Sequence, residues 1–259
     1  NRILAQTFNS AARDGQRAYL FLDEVQNLSD WAPQLKALVD HHTLHVVVTG
    51  SSALRIEAGR DSLAGRITTL EIGTLLLREI AGLRFGKEIA PFLPQNGLEV
   101  LLDADFWRQL NKHGAQYTEI RNQAFQAFSE RGGYPMVHVS PEVPWQEIAD
   151  QLNENVIRRV IEHDLRMGER GRKRDGSLLE EVFRLSCRYA GQTPSHAVYV
   201  QELRQVLRAN IGWHRILSYL RFLDGALLIK LIRPLELRLK RPEGSPKLCI
   251  ADHGLRASW

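Results

Sequence analysis

Residues 19–24 read YLFLDE, four apolar or aromatic residues followed by two adjacent carboxylates. A second apolar run, residues 44–48 (LHVVV), leads directly into a threonine and a glycine. Near-continuous apolar runs of this length are typical of parallel strands that are buried on both faces. Between them, residues 29–39 begin with a capping serine and continue with apolar side chains at helical spacing, which predicts an amphipathic helix. Strand, helix, strand predicts an α/β fold with a parallel sheet, in which residues 67–72 would form a weaker third strand.

The carboxylates of Asp23 and Glu24 fall where the first strand would end. Open α/β sheets bind ligands at the carboxyl ends of their strands, so both side chains are candidate nucleotide-site residues. Asp23 would hold Mg²⁺, directly or through water, and Glu24 would orient and polarise the attacking water. Four apolar residues followed by Asp-Glu are the Walker B pattern, which also arises at strand ends that have no such role.

Hydroxyl and basic side chains follow the second strand and add to this pattern. Thr49 and Ser51 lie where a side chain would contact the γ-phosphate or the attacking water, although both residue types also cap helices at such junctions. Arg66 stands beside Gly65 just before the weaker strand. It could stabilise charge on a phosphoryl group, in cis or across a subunit interface, and a surface ion pair explains it about as well.

The rest of the chain has a different character, because its apolar residues recur mostly at helical spacing. A glycine- and arginine-rich loop at residues 168–176 marks a boundary. After it, helices at the start of this region, at residues 200–207 and at residues 213–224 precede strands at residues 235–240 and 247–251. Helix, helix, turn, helix and hairpin is the order of a winged helix-turn-helix.

These observations predict four segments. They are the second half of an ATPase core (1–73), a helical lid (74–140), a linking helix with the basic loop (141–176) and a winged-helix-like domain (177–259).

Positive charge is concentrated at the C-terminal end. Residues 201–259 contain eleven Lys and Arg against five Asp and Glu, whereas residues 1–200 contain twenty-three against twenty-five. A surface that faces a polyanion would therefore lie in this last part. Arg215 and Arg221, on the outward side of the helix at 213–224, could reach a DNA major groove. A solvated basic face, or a winged helix that binds only proteins, explains the same residues.

The composition also bears on the compartment. The two cysteines form no Cys-x-x-Cys pair, and no apolar run approaches the roughly 18–20 residues that span a bilayer. The N-terminal residues do not resemble a signal peptide. We therefore expect a cytoplasmic protein with no membrane partner.

Several short stretches, taken together, resemble a known family. The family is that of the predicted prokaryotic AAA-type P-loop ATPases that carry a C-terminal domain of unknown function. The stretches that match it, in order and spacing, are residues 21–26, Trp31, 48–52, 62–66 and 77–80. Residues 132–135 and 247–255 resemble further landmarks of that family. The resemblance implies ATP and Mg²⁺ as cofactors, a helical lid, a winged-helix segment and, in fuller members, a nuclease-like domain. It implies ATP hydrolysis that drives a conformational switch.

The chain departs from this family at two places. No Gly-x-x-x-x-Gly-Lys-Ser/Thr motif, the Walker A loop, occurs in the 259 residues. In the family this loop lies upstream of the first strand, so we expect an N-terminally truncated and incomplete ATPase. At residues 136–138, Met-Val-His stands where the family has an acidic residue. The alternative is a non-enzymatic module on a degenerate ATPase scaffold, which would bind nucleic acid, a protein partner or a second copy of itself.

Overall fold

The computed structural model describes residues 18–25, 28, 30–42, 44–50, 63, 65–93, 99–163, 175–234 and 244–259. These residues are mostly helical, with two small sheets. They form two compact units. One comprises the described residues up to Glu71 together with Arg221–Ala226, and the other comprises Ile72–Leu220 together with Leu227–Trp259. None of the described helices has the length and apolar character that crossing a membrane requires.

The first unit contains the predicted strand, helix and strand. Strands β1 (Ala18–Leu22) and β2 (Leu44–Val48) pair in parallel, and helix α1 (Trp31–His41) connects them. The helix buries Trp31 and Leu35 in a small apolar core. The α/β prediction is confirmed for this part of the chain, because the apolar runs and the helical spacing lie where the elements form.

Two expectations for this sheet are wrong. Alternate side chains of the strands are exposed, including Tyr19 at 55% and Phe21 at 72%, so α1 covers one face and the other face is open among the described residues. Residues 67–72 form no strand, and the described sheet contains β1 and β2 alone. Leu70 and Ile72 are 84% and 87% exposed. Without a neighbouring strand or a buried face, this β-prone sequence has nothing that stabilises it as a strand.

The first part of the second unit is helical, as predicted. Its helices are α2 (Leu77–Phe85), α3 (Ala104–Gln116), α4 (Thr118–Arg131), α5 (Met136–Val139) and α6 (Trp145–Leu152), which continues as a π-helix over Asn153–His163. A short 3₁₀ turn, Glu99–Leu102, precedes α3. Helices α2 and α4 pack through a core of small and apolar side chains that includes Ile80 and Ala124.

Three further helices, a pair of strands and a last helix follow. The elements are α7 (Gly176–Arg188), α8 (His196–Leu207), α9 (Trp213–Gly225), β3 (Ile229–Ile232), β4 (Lys247–Ile250) and α10 (His253–Ser258). Strands β3 and β4 are antiparallel. The predicted strand at 247–251 is confirmed, the one at 235–240 lies outside the described residues, and β3 was not predicted. The cap of α7 is Asp175, whose Oδ1 accepts from the backbone N–H of Leu178.

A buried carboxylate joins the two ends of the second unit. Asp252 is 4% exposed, and its Oδ2 accepts from the backbone N–H of Gly133 at 2.7 Å. Its Oδ1 accepts from the backbone N–H of Gly254 at 2.8 Å and so caps α10. The carbonyl oxygen of Gly133 in turn accepts from the backbone N–H of Leu75 at 2.7 Å. We call this arrangement the Asp252 clasp. It connects the approach to α2, the turn after α4 and the start of α10.

The clasp leaves no room for side chains on the glycines around it. Gly132 has φ 84° and ψ −165°, a conformation that is essentially restricted to glycine. A Cβ added to Gly132 would lie 2.1 Å from Oδ1 of Asp252, and one on Gly254 would lie 2.7 Å from the carbonyl oxygen of Arg131. The close approach of carboxylate and backbone thus explains why glycine stands at these positions.

A buried histidine lies beside the clasp. His138 is 1% exposed, and its Nε2 lies 2.8 Å from the carbonyl oxygen of Gly132. Burial lowers the pKa of His138, the Gly132 hydrogen bond opposes this, the charges of Arg84 and Arg131 lower the pKa further, and Asp252 raises it. The net effect is a pKa below the ordinary value, which favours the neutral ring.

Replacing Gly132 with alanine should destabilise the protein by more than about 2 kcal/mol, because the substitution combines a forbidden backbone conformation with a collision against Asp252. The matched control is Gly82→Ala within α2, where an added Cβ meets nothing within 4 Å. That variant should gain up to about 1 kcal/mol from helix propensity. Urea unfolding measures both, and equal stabilities of the two variants would contradict this account of the clasp.

The stability of the protein should fall as the pH decreases below about 6.5, the ordinary pKa of histidine. In that range His138 binds a proton in the unfolded chain but not in the folded protein, because its pKa is lower in the folded state. The contribution of His138 to the free energy of unfolding is complete above its pKa in the unfolded state. It is lost as the pH falls to the pKa of His138 in the folded state. Urea unfolding at several pH values measures it. His138→Gln should reduce the slope of the free energy of unfolding against pH, and His214→Gln, at an exposed position, should not. Equal slopes for the two variants would contradict the assignment to His138.

Candidate nucleotide site

The ends of β1 and β2 bring Asp23 and Thr49 into direct contact. The strands pair in register, with Leu22 opposite Val48, so the next residue of each strand emerges at the same carboxyl edge. There Oγ1 of Thr49 donates a hydrogen bond to Oδ1 of Asp23. The backbone N–H of Thr49 donates to the carbonyl oxygen of Leu22 at 2.9 Å, which holds the ends of the two strands side by side.

Glu24 follows in an unusual backbone conformation. Its φ is 52°, in the left-handed region that non-glycine residues rarely adopt. Its N–H donates to Oδ1 of Asp23 at 3.0 Å, and the N–H of the next residue, Val25, donates to the carbonyl oxygen of Thr49 at 3.1 Å. Val25 is fully buried. The burial of Val25 and its bond across to Thr49 therefore hold the tight turn that contains Glu24.

The donor set suits a hard cation. Asp23 is exposed, and its known contacts engage Oδ1, while no described residue bonds to Oδ2. Carboxylate and hydroxyl oxygens are the ligands that Mg²⁺ prefers, and this ion usually keeps several waters and binds substrate phosphates. The described ranges contain no group of three His, Cys, Asp or Glu side chains that could hold a metal ion. A magnesium ion here would therefore be held by Asp23 together with water and phosphate oxygens.

Arg66 lies apart from these residues. Its Nε is 2.9 Å from Oδ1 of Asp40 in the last turn of α1, and the two side chains are 45% and 36% exposed. Asp40 shortly precedes β2, whereas Thr49 follows it. The ion pair therefore lies toward the amino ends of the strands, and the Asp23–Thr49 contact lies at their carboxyl ends. The apolar side of Arg66 contributes to a pocket of about 60 Å³ beneath α1, far smaller than the several hundred Å³ of typical ligand sites.

Three predicted site residues remain. Ser51 lies outside the described residues. In the second unit, Nη2 of Arg215 is 3.1 Å from Oδ2 of Asp175, the residue that caps α7. Arg221 is exposed. The ion-pair partners Asp40 and Asp175 were not singled out in the sequence, since each lies far along the chain from its arginine.

Buried polar residues of the second unit were also missed. Asp252 and His138 form the clasp and the contact beside it. In the sequence they were noted only within residues 247–255 and 136–138, and neither was given a role of its own. A glycine pair and an Asp-x-Gly separated by more than a hundred residues give no local sign that they will meet. The contact depends on the packing of the whole unit.

Comparison with known proteins identifies two regions. Residues 1–81 match a family model described as an AAA domain, AAA_14, so the first part of the chain is AAA-like. A relative in Haemophilus influenzae (strain ATCC 51907 / DSM 11121 / KW20 / Rd), an uncharacterized protein, is 23% identical over 244 residues. The alignment covers 93% of this chain and 52% of the relative, so the chain spans about half the relative's length. Residues 122–259 match the domain of unknown function DUF8612. Because this second match covers more than half of the chain, the protein belongs to the DUF8612 family.

Proposed function

We propose that this protein is an AAA-type ATPase in which ATP hydrolysis drives a conformational switch. The observation that carries the proposal is the contact between Asp23 and Thr49 at the carboxyl edge of a parallel strand pair. The match of residues 1–81 to an AAA domain supports it independently. An exposed carboxylate, a hydroxyl and a second carboxylate lie at the carboxyl edge of this strand pair. Open α/β folds bind ligands at that edge, which supports the proposal.

Asp23 would hold Mg²⁺ in this reaction. The bound ion would neutralise charge on the β- and γ-phosphates. Thr49 fixes the orientation of the Asp23 carboxylate by donating to one of its oxygens, which leaves the other for the ion or one of its waters. Thr49, with Ser51, would also lie near the γ-phosphate. The Walker A loop that cradles phosphates in such enzymes is not among the 259 residues, so the proposed activity requires a phosphate-binding loop from outside them.

Glu24 would orient and polarise the attacking water. Its side chain is half-buried. The turn is held by the Glu24 N–H, which donates to Oδ1 of Asp23, and by the Val25 N–H, which donates to the carbonyl oxygen of Thr49. A non-glycine residue in the left-handed region costs of order 1–3 kcal/mol, and such residues cluster at functional sites. The conformation at Glu24 is therefore consistent with a side chain whose position matters for catalysis.

Arg66 would stabilise charge on the transferred phosphoryl group. It would have to leave Asp40 to do so, and because both side chains are partly exposed, opening the pair costs only about 0–1 kcal/mol. Its place toward the opposite edge of the sheet favours action on the site of another copy over action on its own. The Asp40 contact would then hold the arginine until a second subunit is present.

Replacing Glu24 with glutamine should leave Mg-ATP binding intact and lower turnover by about 100-fold or more, as expected for loss of a general base. Asp23→Asn should weaken magnesium-dependent binding itself. The control is Glu88→Gln, an exposed position in the second unit. Equilibrium binding and steady-state hydrolysis are measured on the full-length protein. Failure of that protein to bind ATP, or full turnover by Glu24→Gln, would refute the proposal.

The second candidate function is nucleic-acid binding by the region from α7 to β4. Three helices followed by an antiparallel hairpin give the element order of a winged helix. His214, Arg215, Ser218 and Arg221 are exposed on α9, while Ile216 and Leu220 are buried. The exposed face is the side that would enter a major groove. The Arg215–Asp175 ion pair reduces the positive charge available there.

If this face binds duplex DNA, affinity should fall steeply with salt. Arg221→Gln should weaken binding to all sequences and reduce the slope of log affinity against log salt by about 1, as for loss of one phosphate contact. Arg121→Gln, at an exposed position of α4, is the matched control. Fluorescence anisotropy with a labelled duplex measures both. Absence of binding at low salt, or equal slopes for the two variants, would favour a protein-interaction role.

A further inference from the structure

Three buried nitrogen atoms of the second unit have no hydrogen-bond partner among the described residues. They are Nη1 of Arg84, Nη1 of Arg131 and Nδ1 of His138. Arg84 lies in the last turn of α2, Arg131 ends α4, and His138 lies in α5. Helix α2 packs against both of the other helices. Folded proteins pair nearly all buried polar atoms, so these three nitrogens, in neighbouring helices, keep hydrogen-bonding capacity that a bound ligand could use.

The chemistry of these atoms can be assigned from their surroundings. Nε2 of His138 lies 2.8 Å from the carbonyl oxygen of Gly132. A carbonyl oxygen only accepts, so Nε2 carries the hydrogen. Burial lowers the pKa of His138, the Gly132 hydrogen bond opposes this, and the charges of Arg84 and Arg131 lower it further, so the ring is neutral near neutral pH. Nδ1 therefore offers a lone pair, and the unpaired set consists of two cationic donors and one neutral acceptor.

Within the described part of the chain, neither Arg84 nor Arg131 forms a hydrogen bond or ion pair with the nearby carboxylate of Asp252. Both oxygens of Asp252 already accept backbone hydrogen bonds, from Gly133 and from Gly254. The guanidinium of Arg131 is held in place by Nη2, which donates to the carbonyl oxygens of Pro141 and Val143, each at 2.9 Å. The two guanidinium groups are therefore not paired directly with Asp252, and the orientation of the Arg131 group is fixed by backbone carbonyls.

We propose that Arg84, Arg131 and His138 form a binding site for inorganic phosphate. The guanidinium N–H groups would donate to its charged oxygens, the pairing for which arginine is well suited. The remaining O–H of hydrogen phosphate would donate to Nδ1 of His138. Sulfate has no O–H at neutral pH, and a phosphate monoester has largely lost its own because its second pKa is about 6. The acceptor therefore selects inorganic phosphate, and this assignment does not depend on the ATPase proposal.

Binding can be tested on the full chain by isothermal titration and thermal unfolding at neutral pH and constant ionic strength. Inorganic phosphate should bind about tenfold or more tightly than sulfate or methyl phosphate, and it alone should raise Tm through preferential binding to the folded state. Equal effects of phosphate and sulfate would show non-specific anion binding and overturn the proposal. Absence of any effect would show that a buried water completes the hydrogen bonds, which also overturns it.

Substitutions locate the site. Arg84 is only partly buried, so Arg84→Met should fold, and it should lose about tenfold or more in phosphate affinity. Arg121→Met, at an exposed position of α4, should bind phosphate like the unmodified chain. Nitrogen-15 NMR gives a second readout, because the Nδ1 resonance of His138 should move with phosphate and stay in place with sulfate. Unchanged phosphate affinity of Arg84→Met, or a His138 resonance that ignores phosphate, would refute the site.

Discussion

The second unit depends on one buried carboxylate that satisfies backbone donors from two distant parts of the chain. Asp252 bonds Gly133 and Gly254, and the sequence separation to Gly133 is 119 residues. A buried charge is tolerated only where hydrogen bonds replace its hydration, and here both oxygens are used. This requirement fixes the positions of the turn after α4 and the start of α10 relative to each other. It also excludes side chains at the glycines, because the carboxylate occupies the space that a Cβ would need.

The two units hold their polar groups in different ways. In the first, Asp23 is exposed and its contact with Thr49 follows from strand register alone, since parallel strands that pair in register end at the same edge. An exposed carboxylate can exchange one partner for a metal ion at little cost. In the second unit, Asp252 and His138 are shielded from water, so their hydrogen bonds are costly to break. The first arrangement suits a site that binds and releases a nucleotide, and the second suits a fixed joint.

Sequence patterns predicted the elements whose determinants are local. The runs at β1 and β2, and the helical spacing of α1, lie within a few residues of each other and were placed correctly. The strand expected at residues 67–72 was wrong because β propensity without a partner strand does not form a sheet. The carboxyl-edge position of Asp23 was foreseeable from strand order. The ion pair of Arg66 with Asp40, and the Asp252 clasp, were not, since each joins residues that only tertiary packing brings together.

Packing and family boundaries do not coincide in this protein, and the difference bears on how a switch could work. The AAA match extends to residue 81, yet Leu75 donates to Gly133 at the clasp, and Ile80 packs with Ala124 in the second unit. The last residues of the AAA region therefore belong, by their contacts, to the unit that contains most of the DUF8612 match. The covalent chain from the first unit reaches the clasp within a few residues of Glu71. This segment is thus one covalent connection along which a nucleotide-driven movement of the kind proposed could reach the clasp.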